Sequence, residues 1–169
     1  DNLSVATMRG VAMIVDPELR VFDATHAINQ FDVLAASDAL IYTIPFWPEG
    51  TVFVSVVDPG VGTARRGCVA KLNNGSFVVT PDNGSLTAIL DWVIAVREID
   101  ESVNRLKGSD KANSFHGRDV FAYTAARLAS GIINFEGVGP EYPVNEIVTF
   151  ETTHGTVAPG RAEGEIAGC

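Results

Sequence analysis

The apolar run TVFVSVV, Thr51–Val57, constrains the fold of this chain more than any other stretch. It is apolar at nearly every position and rich in β-branched valine, which is typical of a strand buried on both faces of a parallel sheet. The turn residues DPGVG follow it directly. Ligands bind beyond the carboxyl ends of the strands in such sheets, so the sequence predicts a functional rim at Asp58.

Helical and strand patterns alternate along the rest of the chain. Apolar residues at helical spacing mark Leu3–Val15, the start of Asp32–Trp47, Gly84–Val93 and Arg118–Gly131. Strand patterns mark Arg20–Thr25, Cys68–Leu72, Ser76–Thr80 and Ala95–Ile99, with the hairpin signal NNG between the second and the third. Residues 100–114 are polar and predict a surface loop. This alternation predicts an α/β fold, a three-layer sandwich with a largely parallel central sheet.

The composition restricts the class of protein. With 169 residues, of which 46% are hydrophobic and 20% charged, the chain is predicted to form a globular domain with a sizeable core. A net charge of −9 repels phosphate groups, so we expect neither nucleic acid nor an anionic membrane as a partner. No apolar run approaches the roughly 20 residues that a membrane-spanning helix needs.

The two ends and the cysteines bear on processing and location. The start, DNLSVATMRG, has no basic stretch leading into an apolar one, so we expect no signal peptide. Cys68 and Cys169 are too few for a disulfide framework, which favours a cytoplasmic protein. The chain opens almost directly into a helical pattern and closes with GRAEGEIAGC, which resembles the beginning of a strand. We therefore expect it to be part of a longer protein.

The stretch DPGVGTARR places an acid and two arginines around a turn. Asp58 ends the predicted strand, and Arg65 and Arg66 follow seven and eight residues later. A loop that folds back would bring a guanidinium onto the Asp58 carboxylate as a bidentate pair, which would orient a polar group in a pocket. The alternative is an ordinary strand-end turn with solvated arginines. The stretch lacks the GxxxxGK[ST] spacing of a nucleotide-binding P-loop.

The stretch SFHGRD places a histidine at the start of a predicted helix. His116 and Gly117 precede the helix, where free backbone amides bind an anion or a developing negative charge. A histidine there can accept, donate or move a proton near neutral pH. The alternative is that His116 only caps the helix or packs beneath it.

Three further positions have mainly structural interpretations. In PDNGSL, Asp82 or Asn83 is predicted to cap the following helix. Asp23 and His26 resemble metal ligands, but further ligands at suitable spacing are missing, so we expect buried hydrogen bonding and no metal site. Phe31 is an aromatic residue that either stacks on a flat ligand or belongs to the core.

Taken together, these stretches resemble one family. The motifs MRGV, VFDATHAI, PEGTVFVSVVDPGVGTARR, PDNGSL, SFHGRDVFA and LASG occur here in the order found in the S-adenosyl-L-methionine hydroxide adenosyltransferases, relatives of the bacterial fluorinase and chlorinase. The resemblance covers essentially the whole chain. It implies cleavage of S-adenosyl-L-methionine by water to give adenosine and L-methionine, with no cofactor and no metal.

The resemblance also assigns roles to individual residues. It implies a catalytic trio of Asp58, Arg65 and His116, in which Arg65 is preferred over Arg66 by its offset from the aspartate. It implies substrate contacts from five further residues, Phe31, Pro59, Val61, Phe115 and Gly117, with Phe31 stacking near the sugar. Halide-using relatives carry a tyrosine at the position of Asp58, so the resemblance favours the water-using branch. A halide-using transferase and a non-catalytic module that binds S-adenosylmethionine or adenosine are the alternatives.

The resemblance implies a larger assembly as well. Residues 1–150 correspond to the N-terminal catalytic α/β domain without its first strand, and residues 151–169 to a linker and the start of a truncated C-terminal β domain. In the family that domain, from a neighbouring subunit of a trimer, completes the site. We therefore expect a homotrimer with the active site at the subunit interface, acting on a small-molecule substrate.

Overall fold

The computed structural model describes residues 2–109, 114–151, 156–159 and 161–163. The helices are α1 (Asn2–Val15), α2 (Val33–Thr43) and α3 (Tyr123–Ala129), and a π-helical segment, Gly117–Ala122, leads directly into α3. Short 3-10 turns lie at Ile44–Phe46, Thr87–Trp92, Glu136–Val138 and Val144–Glu146. The strands are β1 (Val52–Val54), β2 (Gly67–Leu72), β3 (Phe77–Pro81), β4 (Val93–Glu98), β5 (Glu141–Tyr142), β6 (Thr156–Ala158) and β7 (Arg161–Glu163).

The predicted α/β class is confirmed, but the predicted largely parallel sheet is wrong. Five strands form one open sheet in the order β1-β3-β2-β4-β5. Among the described strands, only β1 and β3 pair in parallel, and the other three pairings of this sheet are antiparallel. The reason lies in the connections: the tight NNG hairpin forces β2 and β3 to run antiparallel, whereas a parallel pair needs a long crossover.

Among the described strands, the run Thr51–Val57 lies at one edge of the sheet and not at its centre. Only Val52–Val54 pairs with a neighbouring strand, β3, and Val54 is 39% exposed. The run is apolar because Phe53 packs against one apolar cluster, and Val52 and Val56 pack against the other. The strand ends at Val54, so Asp58 lies four residues beyond it and not at its end as predicted.

Two apolar clusters lie on the two faces of the sheet. Successive residues of β2 alternate between them, so that Cys68 and Ala70 belong to one cluster and Val69 to the other. The first cluster includes Leu40 of α2, and the second includes Phe121 at the start of the α3 region. The second cluster therefore fixes the segment that carries His116.

Two predicted elements differ from the observed ones. Arg20–Thr25 forms no regular strand, and its apolar side chains at positions 21 and 22 are exposed; an ion pair between Asp23 and Arg9 of α1 holds the segment instead. The helix predicted over Gly84–Val93 is a 3-10 turn, Thr87–Trp92. By contrast, the predicted helices α1 and α2 and the β2–β3 hairpin are confirmed, and Asp32 is the N-cap of α2.

The remaining predictions concern the loop and the termini. Residues 101–109 form turns without a helix or strand, as predicted, while residues 110–113 and Cys169 lie outside the described residues. β6 and β7 form a separate two-stranded sheet. No helix in the described part of the chain combines the length and the apolarity needed to cross a bilayer.

Candidate active site

The loop between Asp58 and Arg65 folds back on itself through two successive turns. The Val61 amide donates to the Asp58 carbonyl at 3.3 Å, and the Thr63 amide donates to the Gly60 carbonyl at 3.1 Å. Gly62 adopts φ +79°, a conformation that favours glycine. These turns return the chain towards its starting point, so the seven-residue offset places Arg65 beside Asp58.

Arg65 and Asp58 form the predicted bidentate ion pair. Arg65 Nε donates to Asp58 Oδ1 at 2.9 Å, and Arg65 Nη2 donates to Asp58 Oδ2. The side chains are only 10% and 6% exposed, respectively, so this is a shielded pair rather than a solvated arginine beside a turn. The alternative of an ordinary strand-end turn is therefore excluded for Arg65.

His116 joins the pair through the same guanidinium. Arg65 Nη2 lies 2.9 Å from His116 Nδ1. A guanidinium has only donors, so Nδ1 must accept and the proton of the neutral ring must be on Nε2. His116 is 7% exposed and makes no side-chain cap hydrogen bond, so it is not the helix cap that sequence reasoning left open. The structure thus brings all three residues of the predicted trio together, with Arg65 in the middle.

The surroundings of His116 favour its neutral form. Burial is the largest cause and lowers the pKa of His116 below the ordinary value of 6.5. The positive charges of Arg65 and Arg105 lower this pKa further, and the negative charges of Glu101 and Asp58 oppose them. The net direction is downward, so His116 is a neutral acceptor for Arg65 at neutral pH.

Phe121 supports both side chains from the protein interior. Its ring is fully buried, lies 5.2 Å from the Arg65 guanidinium carbon and meets the His116 ring edge-on at a centroid distance of 6.5 Å. Arg65 Nη1 is buried and has no hydrogen-bond partner among the described residues. The residues next to the trio thus fix the guanidinium and leave one of its donors unused.

A cleft of about 620 Å³ opens in front of Asp58. It is lined by α1, by residues 53–58, and by residues 114, 115, 117 and 118. Asp58 lines it, whereas Arg65 and His116 are not among the lining residues. Its volume lies in the range typical of small-molecule sites. Asp58 therefore borders the cleft, whereas Arg65 and His116 lie beyond its lining.

The predicted substrate-binding residues divide into two groups. Val61, Phe115 and Gly117 line the cleft. Phe31 and Pro59 are exposed and do not line it; Phe31 is 70% exposed and is the one non-glycine residue with a positive φ in the described part of the chain, at 70°. The structure places Phe31 on an adjacent loop, since Gln30 lines the cleft.

The predicted cap at Asp82 or Asn83 is wrong, and two of the backbone amides predicted to be free beside His116 are bonded. The amides of Arg118 and Asp119 both donate to the Phe115 carbonyl, at 3.1 and 2.9 Å, so they are not free to bind an anion. Asp82 and Asn83 cap no helix, because the 3-10 turn that follows has no side-chain cap. Both side chains contact other segments instead.

Asp23 contacts both His26 and Arg9. His26 Nε2 lies 3.3 Å from Asp23 Oδ1, and Arg9 contacts the same carboxylate. Within the described ranges, no group of three or more histidine, cysteine, aspartate or glutamate side chains is arranged to hold a metal ion. Asp23 makes the expected hydrogen bond, but the expected burial is wrong, because both Asp23 and His26 are exposed.

Sequence reasoning missed Phe121 and the partners of Asp82 and Asn83. Phe121 lies five residues after His116, inside the predicted helix Arg118–Gly131, and the helical pattern indicates no role for it in the site. The contacts of Asp82 and Asn83 join segments up to 66 residues apart, and no local pattern in the sequence indicates them.

Residues 1–139 match the family model described as the SAM hydroxide adenosyltransferase N-terminal domain. A curated relative from Salinispora arenicola, named (R)-S-adenosyl-L-methionine hydrolase, is 44% identical over 131 residues, covering 75% of this chain and 48% of the relative. A fluorinase from Actinopolyspora mzabensis is 26% identical over 187 residues, covering 98% of this chain and 61% of the relative.

A solved structure has the same fold. The crystal structure of a conserved protein from Thermotoga maritima superposes with a TM-score of 0.85 at 34% identity, covering 92% of this chain and 58% of that chain. The chain thus spans about half the length of the hydrolase that it matches.

Proposed function

Because the chain belongs to the SAM hydroxide adenosyltransferase family, we propose that it carries the catalytic residues of an S-adenosyl-L-methionine hydrolase. The reaction is cleavage of S-adenosyl-L-methionine by water to adenosine and L-methionine. The (R)-S-adenosyl-L-methionine hydrolase of Salinispora arenicola, at 44% identity, supports this reaction over the halide-using one, since the fluorinase is 26% identical. The proposal includes S-adenosyl-L-methionine as the substrate and no cofactor.

The observation that carries the proposal is the shared guanidinium. Arg65 contacts Asp58 and His116 at once, and only Asp58 among the three lines the cleft. Each carboxylate oxygen keeps a lone pair beyond its bond to Arg65, so Asp58 can still accept a hydrogen bond from a water molecule in the cleft. An oriented water beside a fixed carboxylate is the arrangement that nucleophilic attack by water requires.

The chemistry follows from this geometry. The water oxygen attacks ribose C5′, the C5′–S bond breaks, and its electron pair goes to sulfur, which leaves as the neutral thioether of methionine. The sulfonium is already a good leaving group and needs no acid. The water proton passes to Asp58 and then to solvent. His116 does not take this proton in its neutral form, because Arg65 occupies Nδ1 and Nε2 already carries a hydrogen.

Substrate contacts are also part of the proposal. Val61, Phe115 and Gly117 lie in the cleft wall, and a Cβ on Gly117 would come within 3.2 Å of the Val56 side chain, so little space is left there for another residue. We assign Phe31 and Pro59 to the outer rim. The backbone of Phe31 has a positive φ, which a phenylalanine rarely adopts, and its side chain is exposed. Both features support a role for Phe31 in contacting the substrate.

The assembly belongs to the proposal too. We assign residues 1–150 to a catalytic three-layer α/β domain and residues 151–169 to a linker and the start of a C-terminal β domain. The separate β6–β7 sheet and the apolar clusters on the two faces of the main sheet support this division. A homotrimer with the site at the subunit interface and a cytoplasmic location complete the proposal, and the free thiol of buried Cys68 supports the location.

Turnover by the full-length protein tests the proposal. Incubation with S-adenosyl-L-methionine is expected to release adenosine and methionine in equal amounts, measured by chromatography. Asp58→Asn and His116→Ala are each expected to lower kcat by about 100-fold or more, since they remove the proton acceptor and one partner of Arg65. Asp38→Asn, which makes the same change on α2 outside the cleft, is the control and is expected to keep the wild-type rate.

The other outcomes identify the alternatives. Halogenated adenosine formed in chloride or fluoride would indicate a halide-using transferase. Tight calorimetric binding of S-adenosylmethionine without product would indicate a binding module. Wild-type rates in Asp58→Asn would refute the assigned trio.

A further inference from the structure

We propose that Asp82 and Asn83 are positioning residues that clamp the two flanks of the loop 58–65 and so fix Asp58 against Arg65. The kinetic test of this inference rests on the proposed function, because it measures turnover of S-adenosyl-L-methionine. It concerns the turn PDNGSL, residues 81–86, which neither lines the cleft nor contains a residue of the trio.

Asn83 holds the flank that precedes Asp58. Asn83 Nδ2 donates to the Val57 carbonyl at 2.9 Å. The other end of the amide is also fixed, because Asn83 Oδ1 accepts from Ser85 Oγ at 2.7 Å and from the Ser85 amide at 3.3 Å. Ser85 is fully buried. The Asn83 side chain therefore cannot rotate without breaking three hydrogen bonds, and the backbone at Val57 is held with it.

Asp82 holds the flank that follows Arg65. The Asp82 amide donates to the Arg66 carbonyl at 2.9 Å, and Arg66 Nε donates to Asp82 Oδ2 at 3.2 Å. Both a backbone and a side-chain contact therefore fix the residue next to Arg65. Adjacent residues of one turn thus hold both ends of the loop.

The turn is itself anchored, so it can serve as a fixed reference. The Val148 amide donates to Asp82 Oδ1 at 2.8 Å, and Tyr142 donates to Asp82 Oδ2 at 3.1 Å. Gly84, at φ +104°, packs against the Phe150 ring so closely that a Cβ would collide with it. By contrast, residues 61–64 of the loop are exposed.

The buried turn 81–86 therefore fixes the two ends of the exposed loop 58–65. The turns within the loop return Arg65 towards Asp58. The contacts of Asp82 and Asn83 fix Val57 and Arg66, the residues that flank the loop. A displacement of about 1 Å at a reacting group lowers rates by about 100-fold. We therefore expect loss of the clamp to lower kcat while leaving the residues of the cleft wall in place.

The decisive variant is Asn83→Asp in the full-length protein. It keeps the acceptor for Ser85 but places an oxygen against the Val57 carbonyl, so the turn persists and the clamp is lost. The matched control is Asn74→Asp in the β2–β3 hairpin, where Asn74 Oδ1 likewise accepts from a backbone amide two residues later, that of Ser76. We expect Asn83→Asp to lower kcat about 30-fold with KM within about 3-fold, and Asn74→Asp to change neither.

A second readout does not depend on turnover. Hydrogen exchange of the Arg65 Nε–H, followed by NMR, reports the ion pair with Asp58 directly, and Asn83→Asp is expected to accelerate it at least 10-fold relative to wild type and to Asn74→Asp. Absent turnover by the wild-type protein would refute the proposed function and leave this readout to decide the clamp. Wild-type exchange in Asn83→Asp, or a wild-type kcat in an active enzyme, would overturn the inference.

Ser85→Ala keeps the test decisive if Asn83→Asp does not fold. It removes only the hydroxyl that holds Asn83 Oδ1. A fall in kcat of about 3-fold together with faster Arg65 Nε–H exchange supports the clamp, and wild-type values in both measurements overturn it.

Discussion

Arg65 is the residue on which the site depends. Its guanidinium donates to both oxygens of Asp58 and to Nδ1 of His116, and it lies against the ring of Phe121. A planar fork of fixed donors satisfies this geometry, and a single ammonium group does not. Arginine is therefore required here for its shape as well as its charge.

Arg65→Lys tests the requirement for a fork. The lysine keeps the charge but cannot reach both Asp58 and His116 in the same geometry, so kcat is expected to fall by about 100-fold. The measurement is steady-state turnover of S-adenosyl-L-methionine. Arg20→Lys, at an exposed position away from the trio, is the control for the substitution itself. An Arg65→Lys enzyme within about 3-fold of wild type would show that charge alone suffices.

The protonation of His116 predicts how activity depends on pH. Protonation at Nδ1 removes the acceptor for Arg65 and places two cations in contact. The pKa of His116 lies below 6.5, so the neutral form, and with it full kcat, is expected to persist as the pH falls through 6.5 and to be lost only at more acid values. A pH–rate profile of kcat measures this acid limb.

His26→Asn is the control for that profile. His26 lies in the cleft wall, and its pair with Asp23 does not involve the trio. The variant is expected to keep the acid limb of the wild type. A midpoint above 6.5 in the wild-type profile would contradict the assigned environment of His116.

The residues of the site differ in how far the sequence alone could identify them. The Asp58–Arg65 pair was predictable because a glycine-rich loop separates its members by only seven positions. The contact with His116 spans 51 positions and came only from the family resemblance. The sequence predicts a helix cap at Asp82 or Asn83, because a turn residue before a helical pattern gives the same local signal whether its side chain faces its own helix or a distant carbonyl.

At the scale of elements, the connections between strands determine the strand directions, which the apolar pattern of a single strand does not. A run of valines predicts a strand but not its neighbours, and Thr51–Val57 lies at the edge of a mixed sheet. The NNG signal did predict the β2–β3 hairpin, and a hairpin is antiparallel. The fold class was thus available from the sequence, whereas strand order and direction depend on contacts between distant segments.

The close contact between Gly67 of β2 and the ring of Phe121 predicts that a larger residue at position 67 destabilises the fold. A Cβ on Gly67 would lie 2.8 Å from Phe121 Cε1 and 3.5 Å from Ile99 Cδ1. Gly67→Ala is therefore expected to lower the free energy of unfolding by about 1–3 kcal/mol through overpacking. Urea unfolding followed by circular dichroism measures it.

Gly10→Ala is expected to change the free energy of unfolding in the opposite direction in the same assay. Gly10 lies inside α1 with no atom within 4 Å of a Cβ added there, so the alanine is expected to raise the free energy of unfolding by about 0.5–1 kcal/mol. A Gly67→Ala protein as stable as wild type would show that Phe121 can move away from β2 at no cost.

At the scale of the whole molecule, one buried carboxylate joins distant parts of the chain. Asp82 accepts hydrogen bonds from Arg66, from Tyr142 on β5 and from the Val148 amide. The Arg66 guanidinium also lies 4.0 Å from the Tyr142 ring centroid. Residues 142–148 are thereby attached next to the loop that carries Asp58 and Arg65.

Tyr142→Phe separates this attachment from catalysis. It removes the hydroxyl donor to Asp82 but keeps the ring under Arg66 and both contacts between the turn and the flanks of the loop. The free energy of unfolding is expected to fall by about 1.5 kcal/mol, the contribution of a hydrogen bond to a charged group, while kcat stays within about 2-fold of wild type. Tyr42→Phe, at a residue 77% exposed on α2, is the control and is expected to change neither value. Urea unfolding and steady-state turnover measure the two quantities. A loss of kcat as large as that expected for Asn83→Asp would mean that the attachment of residues 142–148, and not the turn alone, sets the position of Asp58.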